Sequence, residues 1–243
     1  MQALSISSVI QLRAALEHRA SPAKARVLSA FFKTGPGQYA EGDQFLGVTV
    51  PDQRIIAGQC VSLPLKDIAA LLKSPIHEER LTALLVLVGQ FKQADDSGRG
   101  RIADFYLKNL KRVNNWDLVD ATAHHILGAH VHQQNKGIDV LLRLTRSKNL
   151  WERRVAMVST FYFIHQKSHK EALMVAEVLL KDKHDLMHKA VGWMLREVGK
   201  RASQEALEAF LRRHYKNIPR TALRYAIERF PPAKRRVYLN YGN

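Results

Sequence analysis

Apolar residues return every three or four positions along most of the chain, as in Val27, Leu28, Phe31 and Phe32, or in Ile68, Ala69, Leu71 and Leu72. The same period runs through Leu81, Leu84, Leu85 and Val88 and again through Leu173, Val175, Ala176 and Leu179. Residues three and four apart share one face of a 3.6-residue turn, so the pattern predicts amphipathic α-helices. Strand-like alternation is scarce. Ser21-Pro22, Ser74-Pro75 and Ile218-Pro219 place proline where a first helical turn tolerates the missing N–H. Roughly thirteen helical stretches with short connections follow from these rules, or about six pairs and an odd helix.

At about 35 to 45 residues per pair, such helices fall in the range of stacked repeats, in which no pair can bury its apolar face alone. The expected fold is therefore all-α: a right-handed α-solenoid of HEAT-like helical repeats with a concave basic groove. A compact bundle stays open, because the letters contain no clean consensus repeat. The chain is read as one domain, 1–243, with N-terminal helices and a loop over 1–50, the helical array over 51–230 and a basic tail over 231–243. Residues 34–51 break the helical pattern with glycines and prolines and predict a long loop. It is either a binding loop or a linker anchored by Phe45 and Leu46.

Composition narrows the function. With 243 residues and 46% hydrophobic content, the chain can bury a sizeable core. Thirty-eight Lys and Arg against 22 Asp and Glu give a formal charge of +16, which points to a polyanion, first of all nucleic acid. No run of apolar residues is long enough for a membrane span, so no membrane association is expected and a cytoplasmic location is, nucleoid-associated if bacterial. Cys60 is the single cysteine and can form neither an intrachain disulfide nor a cysteine-rich zinc site.

The chemistry concentrates in Asn114-Asn115-Trp116-Asp117-Leu118-Val119-Asp120. The asparagines offer acceptors to the free amides of a helix start, and Trp116 and Asp120 are four apart and share a face. Alternatively, Trp116 is core and the two aspartates only favour a helix N-terminus. Two later segments pair tryptophan with arginine three residues on, Trp151 with Arg154 and Trp193 with Arg196, and Gly192 beside Trp193 would let something approach the backbone closely.

Phe45-Leu46-Gly47-Val48 followed by Pro51, Asn115-Trp116-Asp117-Leu118-Val119-Asp120, Trp151-Glu152-Arg153-Arg154-Val155-Ala156 and Gly192-Trp193-Met194-Leu195-Arg196-Glu197 together resemble the AlkD-type DNA glycosylases, HEAT-like-repeat enzymes of DNA alkylation repair. The resemblance runs over about residues 22 to 230 by segment order. It implies that Asp120 is the catalytic carboxylate, that Trp116 and Trp193 flank the lesion nucleotide's sugar and backbone, and that Arg154 supports the site, with Arg153 as the neighbouring alternative. A loop tyrosine lines the site in some members; Gln38 aligns with it and Tyr39 is next door. The implied partner is double-stranded DNA containing alkylated purines, bound by a monomer without a cofactor.

Other signals are weaker. Eleven histidines include His124, His125, His130 and His132 in one cluster and His184 and His188 four apart, but spacing alone does not make a metal site, and His77-Glu78-Glu79 lacks the second histidine of the zinc-protease pattern. Two other classes of function fit a basic helical array: a non-catalytic module binding unusual DNA structures or RNA, and a protein-binding scaffold, which would leave the charge unexplained.

Overall fold

The computed structural model describes residues 5–135 and 137–240. Its contacts divide the chain into two compact units, Met1–Thr122 and Ala123–Asn243. Among the described residues every regular element is helical, apart from one isolated bridge between Gln44 and Ile76. The all-α expectation holds.

The first unit opens with α1 (Val9–Glu17) and α2 (Pro22–Phe31). Ser21 caps α2 by accepting from the Lys24 N–H, with Pro22 in the first turn. After the loop come α3 (Val50–Gln59), capped by Thr49, then α4 (Leu65–Leu71) and α5 (His77–Gln93). Pro75 differs from expectation: it stays outside α5, and its carbonyl accepts from Gln44 N at 3.0 Å, so the helix starts two residues later with Ile76 as its cap. Then α6 (Asp96–Lys108), a 3₁₀ turn (Leu110–Arg112) and the five-residue α7 (Trp116–Asp120) complete the unit.

α5 is its centre, with most of its length buried and with α3, α4, α6 and α7 packed around it. α2 is the opposite case. Its apolar residues keep helical spacing, yet none is buried, and Val27 and Phe31 are 68% and 61% exposed. A cavity of about 450 Å³ explains part of this: Val27 and Leu28 of α2 form one wall, and Phe32, Phe45, His77 and Leu81 contribute others.

The second unit begins with a π-helical segment (His124–Gly128) that runs into α8 (Ala129–Gln134). α9 (Asp139–Thr145), α10 (Leu150–His165), α11 (Lys170–Leu179), α12 (Asp185–Arg201), α13 (Gln204–His214) and α14 (Arg220–Ala226) follow. Here α10 packs against α9, α11, α12 and the π segment, and α12 packs against α14. Two glycines permit these approaches. A methyl at Gly128 would collide with the Ser159 carbonyl of α10, and one at Gly192 would meet the Ala222 carbonyl and Tyr225 Cβ of α14, each at 2.5 Å. Pro219 is the N-cap of α14 rather than a first-turn residue, its extended ψ of 139° leading the chain into the helix.

The basic C-terminal segment, expected as a tail, forms α15 (Pro232–Asn240). Tyr238 is buried, the Lys234 ammonium lies 5.1 Å from the Phe230 ring centroid, and its Nζ donates to Glu208 at 2.5 Å. With the Phe230 ring 5.6 Å from that of Tyr238 and Arg220 donating to the Leu239 carbonyl at 2.7 Å, these contacts pack a segment that charge alone would leave in solvent. Residues 241–243 of that tail lie outside the described residues.

Candidate nucleic-acid site

α7 begins as its letters predict. Asn115 adopts an extended conformation and its side chain accepts from the Trp116 N–H at 2.8 Å; Asn114 makes no such contact, and its buried Oδ1 has no hydrogen-bond partner. Trp116 and Asp120 are the first and last residues of one helical turn, and both are half-buried. The indole and the carboxylate therefore share a face that solvent reaches. The Asp120 charge and, more strongly, burial raise the phenol pKa of Tyr106, which hydrogen-bonds Thr122 at 3.0 Å.

The Trp116 ring is fixed by other rings. It stacks on Phe32 at 5.0 Å and 15°, and meets Phe31 edge-on at 5.8 Å. Its Nε1 donates to the Tyr39 hydroxyl at 3.3 Å. Tyr39, and not Gln38, is thus the loop residue that reaches the tryptophan: Gln38 is exposed and folds back to accept from the Gly35 N–H at 3.0 Å. Phe45 anchors the loop by stacking on Phe32 at 5.2 Å and on His77 at 4.8 Å.

Beneath these rings lies a cluster of buried charges that motif reading missed. His77 Nδ1 contacts Asp43 at 3.1 Å and its Nε2 contacts Asp117 at 2.7 Å, while Arg80 Nη2 donates to Asp43 at 2.7 Å. Burial alone would lower the His77 pKa, but the hydrogen bonds to Asp117 and Asp43 outweigh it and push the imidazole up to about 9. For Asp43 too, burial opposes ionisation, yet His77 and Arg80 hold the carboxyl below its ordinary value. Glu78 accepts from the amides of Leu46, Gly47 and Val48, and Glu79 accepts from Nε and Nη2 of Arg13.

Every residue of His77-Glu78-Glu79-Arg80 is therefore a buried anchor. The available signal was four successive ionisable residues opening a strongly apolar helix, a pattern that a solvated face does not require. Gly47 completes the loop anchor: its φ is +81°, and an added methyl would strike the Ser21 carbonyl of the α2 cap.

The remaining expected residues belong to the second unit. Trp193 is half-buried on α12 with the Phe161 ring 5.6 Å away, and Gly192 beside it serves the approach of α14. Arg154 is buried on α10, and its Nη1 donates to the Leu186 carbonyl at 2.6 Å. Arg153 points elsewhere: its Nε donates to Asp182 at 2.6 Å and its Nη1 to the carbonyls of Ser147 and Lys148. Arg196 is engaged by Glu228. Among the histidines, His184 caps α12 and His188 contacts the Asp182 carbonyl at 2.6 Å. Cys60 is buried, and burial pushes its thiol up to about 11, which leaves it inert.

A helical chain with an indole and a carboxylate on one turn and a net charge of +16 suits a polyanionic partner. The chain belongs to the DNA alkylation repair enzyme family, whose model matches residues 12–230. Among solved structures it is similar to a "Predicted DNA alkylation repair enzyme from Enterococcus faecalis", with a TM-score of 0.69 and 17% identity over 95% of this chain and 100% of that one. At that identity the likeness speaks for the fold. No curated protein matches the sequence significantly. Family membership supports an enzymatic role in alkylation repair and, with it, DNA binding. No helix among the described residues is long and apolar enough to cross a membrane.

Proposed function

We propose that the protein is a monofunctional DNA glycosylase of base excision repair that removes cationic N3- and N7-alkylated purines from duplex DNA. The observation that carries this reading is the turn of α7, which presents the Trp116 ring and the Asp120 carboxylate on one solvent-reached face. Alkylation at N3 or N7 places a positive charge on the base and makes it a competent leaving group without a general acid. As the C1′–N bond breaks, its electron pair neutralises the base and C1′ gains oxocarbenium character. Asp120 stabilises that cation and orients the water, whose oxygen bonds to C1′ as one of its protons passes by way of the carboxylate to solvent.

The face of Trp116 that Phe32 leaves uncovered carries negative π-density suited to the electron-poor sugar, and the Trp193 ring of the second unit has the same property. The surplus surface cations serve the phosphates, while Arg154, buried with its Nη1 on the Leu186 carbonyl, supports the site from within α10 and Arg153 is committed to Asp182. No lysine in the motifs is positioned as a Schiff-base nucleophile, so excision proceeds without strand cleavage. Selectivity then follows from the charge and lability of the lesion rather than from reading a flipped base.

The decisive assay incubates the protein with a duplex bearing a single N7-methylguanine and follows abasic sites over time. Asp120→Asn should lower the excision rate by about 10²- to 10³-fold, on the scale of losing one electrostatic stabiliser of a transition state, with duplex affinity preserved. A fully active Asp120→Asn enzyme would remove Asp120 from the mechanism. Salt-sensitive duplex binding without any abasic product would instead identify a non-catalytic DNA-binding module.

A further inference from the structure

A helix of five residues cannot hold its own shape in water, since nucleation costs more than one turn of hydrogen bonds returns. Tertiary contacts must therefore fix α7: Leu118 and Val119 are buried, Trp116 packs on Phe32, and the polar contacts converge on one buried carboxylate. Asp43 binds His77 at 3.1 Å and Arg80 at 2.7 Å and accepts from Nδ2 of Asn115, the α7 cap, at 3.4 Å. His77 in turn grips Asp117, the second residue of α7, at 2.7 Å. Asp117 spends its other oxygen on the Leu118 N–H at 2.8 Å. Cap and first turn are thus tied to α5 and to the loop through the same pair of side chains.

We propose that His77 is a positioning residue of the excision site: seated on Asp43 and gripping Asp117, it fixes the turn that presents Trp116 and Asp120. The inference rests on the excision reading given above. Both ring nitrogens of His77 face carboxylates, and only an imidazolium donates at both. The groups around it are Asp43 from the loop, Asp117 from α7 and Arg80 from its own helix, with the Phe32 and Phe45 rings 4.9 and 4.8 Å away excluding water. Its folded pKa of about 9 lies above its ordinary 6.5. The anchoring is accordingly complete below pH 6.5 and is lost as pH rises through about 9.

The test uses the full chain, the N7-methylguanine duplex and four variants: His77→Gln, His77→Leu, Asp117→Asn and, as the reference, Asp120→Asn. His77→Leu should lower the single-turnover rate by about 100-fold, as expected of a misplaced catalytic group, with little change in duplex affinity. His77→Gln keeps a donor toward Asp117 and should recover most of that rate while abolishing the alkaline limb of the pH profile. By NMR the His77 ring should titrate near pH 9 in the wild type and lower in Asp117→Asn. A wild-type ring that titrates near 6.5 overturns the proposal, as does a folded His77→Leu enzyme of full rate. Should His77→Leu fail to fold, His77→Gln and Asp117→Asn decide. If the wild-type protein releases no base, the excision reading fails by itself, and the titration still shows whether His77 anchors α7.

Discussion

In the first unit the candidate residues Trp116 and Asp120 stand on a single helical turn, held from below by buried ions: Asp43, His77, Arg80 and Asp117. In the second unit Trp193 and Arg154 belong to helices of 17 and 16 residues, α12 and α10, whose positions are set by apolar contact and by glycines at the crossings. The contrast follows from length. A long helix has enough side-chain surface to be located by packing alone, whereas one turn offers only Leu118, Val119 and the Trp116 ring to its neighbours, and directional bonds carry more of its placement. Ion clusters are exacting, because each buried charge must stay paired. Glycine contacts are exacting in another way, through a volume of one methyl group.

Several substitutions test this contrast. The largest effect is expected from Arg80→Ala, which leaves Asp43 buried without its guanidinium and should cost about 3–5 kcal/mol. Hydrogen exchange resolved by segment should show the loss concentrated in residues 5–122, and an even loss over both units would break the comparison. Gly192→Ala comes next. Its methyl would meet backbone rather than a yielding side chain, so a cost of about 1–3 kcal/mol is expected, read as a lower midpoint in urea with α12 and α14 exchanging faster. An unchanged midpoint would mean that the crossing is loose.

The smallest effect belongs to the cap of α2. Ser21→Ala removes the acceptor of the Lys24 N–H and should cost about 1 kcal/mol, the usual value of an N-cap. Because α2 buries none of its own residues and borders a cavity, the damage should stay local. Exchange that spread to α5 would show α2 to be more firmly integrated than its exposure suggests.

The site was only partly legible in the letters. The Asn115 cap, the start of α7 at Trp116 and the one-turn spacing to Asp120 all follow from local rules, and the structure has them. Tyr39 was within one residue of the aligned position; which of Tyr39 and Gln38 turns inward depends on a loop whose path is set 39 residues away, by Glu78 holding the amides of Leu46, Gly47 and Val48. The anchoring by His77 was not legible, because its partners Asp43 and Asp117 lie 34 and 40 residues from it. Of two adjacent arginines, Arg154 is the buried one and Arg153 is committed to Asp182, a choice that helical phase on α10 makes and composition does not.

The sequence by itself determined the helical class, the helix starts at Pro22 and Trp116, the positive charge and the pairing of an indole with a carboxylate on one turn, because periodicity, caps and net charge are local or additive properties. Tertiary structure alone decided which charges are buried, that α2 borders a cavity while α15 packs, and which glycines answer to a neighbouring helix. Those outcomes depend on partners distant in the chain, and whether a polar side chain is solvated or locked is set by what covers it.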